Sequence, residues 1–330
     1  MLHIHNGDVS ADTARSSSLP GEHLAFREAL IGGPTPSGLT ATQWRETRAK
    51  HLSEAYGANK DEYAQNLLDQ DEKLASFEQH DEVVLWFEYD LFCQVHLIYL
   101  LDWFAKRDIG NTKLSLICIG EFPGKQNFRG LGELNSDELA SLFPARQPVS
   151  SQQLDLASAA WRAYCSADPN DVQTILASDT ACLPFLGPAL KAHLQRFPSK
   201  RNGLGQIENR GLDLIESGSK RFVDLFSRFG TLETVYGLGD LQLWESLRRM
   251  SDADQPLIIQ KEPNENATPV APEVLRKAKF EVTPIGRSVL KGDSDFVKLN
   301  GIDQWLGGVH LVGNTSGWRW DETVERVVSG

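Results

Sequence analysis

Residues 83–87, VVLWF, are apolar without a break, and residues 91–105, LFCQVHLIYLLDWFA, are apolar on nearly every face of a helix. A strand greasy on both faces cannot lie on a half-solvated sheet. It belongs inside a parallel sheet covered by helices on both sides. The helix behind it must be enclosed as well. Gln94, His96 and Asp102 interrupt the second run, which excludes a membrane span.

The flanking sequence supplies the rest of such a sheet. LHIH (2–5) places Leu2 and Ile4 on one face of a strand and His3 and His5 on the other. Asn6-Gly7-Asp8 makes the turn, with Asp8 placed to cap a helix starting near Val9. HLAFREAL (23–30) reads as a second strand, closed by the breaker-rich IGGPTPSG (31–38). From ATQWRETRAKHLSEAYG (41–57) onward, helices carry Arg and Glu on their solvent sides. KLSLICIGEFPG (113–124) is a fourth strand and its exit loop. This rhythm predicts an α/β fold, with a Rossmann-like open parallel sheet over residues 1–146.

Residues 147–202 are expected to form a helical connector, with helix spacing in LDLASAAWRAYCSADP and ALKAHLQRFPS. From 203 to 330 the pattern predicts a winged-helix-like α+β domain. IENRGLDLIESG, RFVDLFSRFG and GDLQLWESLRRMSD give three helices. LIIQ and KFEVTPIGRSVLKG give a strand pair around the polar loop KEPNENATPVAPE. GGVHLV and WRWD, separated by GNTSG, read as a terminal hairpin. Trp305, Trp318 and Trp320 there could wall a ligand, but packing the hairpin onto a core is the commoner role.

Several of these segments together, HIHNGD, REALIGGPTP, VLWFEYDLFCQ, LPFLGPALKAHLQRFPS and LNGIDQWLGGVHL, resemble a bacterial family over almost the whole chain. It is the one catalogued as domain of unknown function 1835. The resemblance implies no reaction and transfers no functional residue.

Charge and motifs narrow the function classes. Residues 1–198 carry 16 Lys and Arg against 26 Asp and Glu, while residues 199–330 carry 17 against 19. The first part should repel nucleic acid and the second is near neutral. The recognition helix of a winged helix would be residues 239–250, which open with Asp240, Gln242 and Glu245 and place Arg248 and Arg249 late. Acidic groups at the reading end disfavour a nucleic-acid partner, leaving a protein partner or a structural role. Cys93, Cys118, Cys165 and Cys182 form no CxxC pair and sit among apolar neighbours, so buried thiols are expected. The N-terminus has neither the basic start nor the apolar core of a signal peptide, and the cytoplasm is the expected compartment. HNGDVSA offers one glycine where an NAD or FAD fingerprint needs three. GxSxG, HExxH and GxxxxGK[ST] motifs are missing too.

Ligands of open α/β sheets bind beyond the carboxyl ends of the strands. Those ends deliver His5, Asn6 and Asp8; Arg27 and Glu28; Glu88 and Asp90, with Gln94 a turn further; and Glu121 with Lys125. The expected site therefore uses His5, Asp8, Glu28, Glu88 and Asp90 for catalysis and Asn6, Arg27, Gln94 and Lys125 for ligand contacts. His5 could act as a general base oriented by Asp8 or Glu88. Asp8, Glu28, Glu88 and Asp90 could hold Mg²⁺ through oxygen ligands. A bare phosphate at the Asn6–Val9 turn is disfavoured, because Asp8 would compete for the same N–H groups. The plain alternative is that Asp8 and Asp90 only cap helices, each contributing about 1 kcal/mol. The expectation is a small-ligand site with acid–base or metal-assisted chemistry. The competing reading is a ligand-sensing regulator or adaptor that uses the winged helix for DNA or protein contact.

Overall fold

The computed structural model describes residues 1–57, 59–262, 272–315 and 317–330. Its N-terminal part runs β1 (Leu2–His5), α1 (Asp8–Arg15), β2 (Glu22–Ala25), α2 (Ala41–Tyr56), α3 (Lys60–Ala75), β3 (Glu82–Glu88), α4 (Leu91–Ala105), β4 (Lys113–Ile119), α5 (Ser136–Ser141) and β5 (Gln147–Pro148). The sheet order is β2-β1-β3-β4-β5. The first four strands are parallel, with Ile4 opposite both Leu24 and Leu85, and Leu85 opposite Leu116; β5 is antiparallel to β4. The fold is thus α/β around a mostly parallel sheet.

The alternation in β3 explains its unbroken apolar run. Val83, Leu85 and Phe87 enter the main core, while Val84 and Trp86 enter a second core on the opposite face. Helix α4 is buried on most sides, and α6 and α8 pack against it. Thr40 and Gln43 close a capping box at the start of α2, as Ser150 and Gln153 do for α6. These local signals fix where the helices begin.

The remainder contains α6 (Ser151–Tyr164), α7 (Asn170–Leu176), α8 (Leu186–Leu194), α9 (Gln206–Glu216), α10 (Phe222–Leu232), α11 (Asp240–Ser251), β6 (Ile258–Glu262), α12 (Pro272–Lys277), β7 (Lys279–Val282), α13 (Pro284–Lys291), α14 (Phe296–Asn300), β8 (Ile302–Leu306), β9 (Val309–Gly313), β10 (Trp318–Asp321) and β11 (Arg326–Ser329). The main core is continuous from Leu2 to Val327, so it crosses both expected boundaries, 146/147 and 202/203. Among the described residues, no helix is long and apolar enough to cross a membrane.

Four expectations need correction. The second strand stops at Ala25, and Phe26–Leu30 leave the sheet because Phe26, Ala29 and Leu30 are drawn into the core. PIGRSVLK is helix α13, not a strand: Thr283 caps it and Pro284 occupies its first turn. GGVHLV and WRWD do not pair with each other. β9 pairs with β8, and β10 with β11, because the two-residue turn Gly307-Gly308 offers β9 a nearer partner. Arg48 of α2 is not on a solvent side but fully buried. Most of the expected polar loop, residues 263–271, lies outside the described residues.

Candidate functional site

Strand β1 lies between β2 and β3, so the chain leaves it towards one edge and returns on the other. In open α/β sheets the ligand crevice opens where the order reverses, beyond the carboxyl ends of the two flanking strands. Here that position follows β1 and β3, where Asn6 and the segment Glu88–Asp90 emerge.

A chain of hydrogen bonds joins these two ends. The Leu30 N–H donates to His96 Nε2 at 3.3 Å, and His96 Nδ1 meets Asn6 Oδ1 at 2.7 Å. Asn6 Nδ2 donates to Cys93 Sγ at 2.7 Å, and the Cys93 thiol donates to Glu88 Oε2. Glu88 Oε1 accepts from the Leu131 N–H. The directions are consistent only if His96 is neutral with its proton on Nδ1. Burial enforces that state, holding its pKa down at about 3. Burial also keeps Cys93 a thiol, raising its pKa well above the ordinary value, with Asp90 and Glu88 adding to the effect.

Asp90 stands beside this chain with 4% of its surface exposed. It caps α4, accepting from the Cys93 N–H at 2.8 Å. Ligand atoms of Glu88, Asp90 and Cys93 all lie within 4.8 Å of one another. Burial first, and the Glu88 charge second, raise the Asp90 pKa to about 7. Burial raises Glu88 too, against its two neutral donors. Among the described residues, no Lys, Arg or His closes an ion pair with either carboxyl. Two adjoining carboxyls without a counter-charge will share a proton or take up a cation.

The pair forms part of the floor of a cleft of about 500 Å³, a size at which small molecules bind. Arg129, the α10 residues Phe226 and Phe229, Glu233, Gly237, and Gln242 of α11 line the same cleft. Gly237 has φ +61°, and a Cβ there would run into the Asp90 carboxyl. The second half of the chain therefore closes directly over the acid.

Of the residues expected at this site, Asn6, Glu88 and Asp90 meet in the cleft. Gln94 is buried nearby, where its Nε2 donates to the Glu88 carbonyl at 2.6 Å and so supports β3. The others go elsewhere. His5 points to the far face of the sheet, where Nε2 meets His23 Nδ1 at 3.0 Å and the ring stacks on Trp86. Burial, then His23 and His3, lower its pKa to about 2, too low for a general base at neutral pH. Asp8 does not cap α1, whose N-cap is Gly7 with no side-chain bond. It pairs with Arg27 at 2.7 Å, both half-exposed. Glu28 is bound to Arg48, and Lys125 to Glu138 at 3.1 Å. The expected four-carboxylate Mg²⁺ set is therefore not assembled: among the described residues, only Glu88 and Asp90 of that set come together, with Cys93.

Sequence reasoning missed Cys93 and His96. Their spacing was the available signal, since residues three apart on α4 share a face. That face meets Asn6 only in three dimensions. No family model and no curated protein matches the chain.

Proposed function

We propose that this is a cytosolic protein whose strand-end cleft binds a small cationic or hydroxyl-bearing ligand, with Asp90 and Glu88 acting as an acid–base pair. The observation that carries the reading is the meeting of two unpaired carboxyls at a cleft floor. A group titrating near neutrality holds both protonation states in use, the range in which general acid–base exchange is most effective. Cys93, Asn6 and His96 are positioning residues that hold Glu88 in place. The aromatic wall of Phe226 and Phe229 suits the apolar body of a ligand whose polar end faces the acids. We take the sheet as Rossmann-like in the broad sense, and the resemblance to domain of unknown function 1835 adds no reaction to this proposal.

A thermal-shift screen of small amines, polyols and amino acids tests it, because a ligand of the native state raises the melting temperature. A stabilising compound should lose its effect in Glu88→Gln and in Asp90→Asn while both variants stay folded by circular dichroism. Retained binding in both overturns the assignment.

The group of Glu88, Asp90 and Cys93 supports a second reading, a divalent cation. Mg²⁺ would draw on the carboxylates alone, whereas use of the Cys93 sulfur points to a softer ion such as Zn²⁺. Stabilisation by Zn²⁺ that is lost in Cys93→Ser selects this reading. For the regulator alternative, α9–α11 with β6 and β7 read as winged-helix-like. Asp240 is exposed at the start of α11, and from Leu241 to Met250 the helix is at least half-buried as it packs against α9 and β6, which leaves an acidic end and little free surface for groove reading. A low-salt gel shift is expected to show no retardation of DNA.

A further inference from the structure

A larger cleft, about 750 Å³, lies between the Gly32-Gly33 turn, α2, α11 and the β8–β9 hairpin. Its charged side chains each meet an ionic or hydrogen-bonding side-chain partner of complementary type, with one exception. Lys50 faces Glu54 at 3.9 Å, Arg248 binds Glu245 at 2.8 Å, Arg249 binds Glu208, and His310 meets Asp303 at 2.7 Å. Arg196 has no carboxylate partner among the described residues, although only 8% of its surface is exposed. Its Nη2 donates to the Ile31 carbonyl at 2.6 Å and its Nη1 lies 3.4 Å from His193 Nδ1. Its buried Nε finds no partner. A buried guanidinium without counter-charge is strongly unfavourable, and an anion entering the cleft would relieve it.

Two further side chains line the cleft. His51, on α2, has a buried Nε2 without a partner and lines the same cleft. Its ring lies against Gly33, where φ is +72° and any Cβ would run into the imidazole. Trp305, stacked on His310 with ring centroids 4.3 Å apart, supplies a flat wall.

We propose that this cleft is a second ligand site, taking a small molecule by one oxyanionic group, carboxylate or phosphate, seated on Arg196. His51 Nε2 supplies a further hydrogen bond, and Trp305 flanks the body of the ligand. A single unmatched cation suits a single anionic group, and guanidinium pairs with either oxyanion through charge-assisted bonds.

Thermal-shift titrations of the full chain with inorganic phosphate and with acetate, against chloride at equal ionic strength, test the site. The melting temperature should rise and saturate with at least one oxyanion, and which one responds identifies the group. Arg196→Met should weaken the apparent affinity by about ten- to a hundredfold, as expected for loss of a hydrogen bond to a charged group. An unchanged response in that variant overturns the proposal. Because Arg196 also holds the Ile31 carbonyl, parent crystals soaked in selenate, or in a bromobenzoate where only acetate stabilises, locate the anion without any substitution. An anomalous peak beside the guanidinium supports the site. An empty cleft, or oxyanions no better than chloride, sinks it.

Discussion

Glu28, just past β2, and Glu88, the last residue of β3, stand at the ends of the two strands that flank β1, and both turn inward, yet their surroundings are opposite. Glu28 is clasped by Arg48: Oε1 accepts from Nη2 at 2.8 Å and Oε2 from Nε at 3.3 Å, with side-chain exposures of 0% for Arg48 and 3% for Glu28. The same guanidinium also donates to the carbonyls of Ala29, Gly32 and Pro34, and so pins the turn after β2. Glu88 meets only neutral donors and a second carboxyl. One acid is consumed by the architecture. The other keeps its charge unsettled, which is the condition for chemistry or for cation binding.

The contrast can be broken at several points. Arg48→Met leaves Glu28 buried and unpaired, and should lower stability by about 3–5 kcal/mol in urea unfolding. Adding Glu28→Gln should recover the part due to the stranded charge but not the part due to the three carbonyls; a single variant as stable as the parent would erase the distinction. Cys93→Ala strands both Asn6 Nδ2–H and Glu88 Oε2, with an expected loss of about 1–3 kcal/mol, and Cys93→Ser, which keeps a donor, should lose less.

Asp90→Asn retains a good N-cap and removes the titration. The folded pKa of Asp90 lies above the ordinary carboxyl value of 3.8, at about 7. The native state therefore holds an extra proton between those limits, and stability falls as pH rises through that window. The advantage of Asp90→Asn over the parent should grow from about pH 4 to about pH 7 and then level off, read from urea midpoints. A flat difference would show that Asp90 titrates as an ordinary carboxyl. The smallest effect is expected from Glu88→Gln. Carboxyl NMR should find the Asp90 midpoint lower but still raised, because burial is the larger cause and it remains.

Much of the architecture was legible from pattern alone. Unbroken apolar residues in β3 marked a buried parallel strand, and proline and cap residues marked helix ends. The failures at the site share one physical origin. Arg48 reads as a surface residue in an amphipathic helix, and only tertiary packing brings it beneath Glu28. His5 and Asn6 are neighbours in sequence, but the pleat of β1 sends His5 to the far face, whereas Asn6, past the strand end, is free to turn into the cleft. Asn6, Glu88 and Asp90 could be found because strand ends are fixed by topology. Cys93 and His96 were harder to find: their spacing puts them on one face of α4, but an apolar helix gives no sign that this face looks into a cleft.

Gly237 ties the acid of one half of the molecule to the backbone of the other. A chain cut after residue 202 would keep all five strands of the sheet but lose both the cover over Asp90 and the part of the core that crosses that boundary. Water would then reach the carboxyl, and its affinity for a proton would fall, because burial is the largest cause of its raised pKa. The cleft is thus shared property of the two parts, and neither holds it alone.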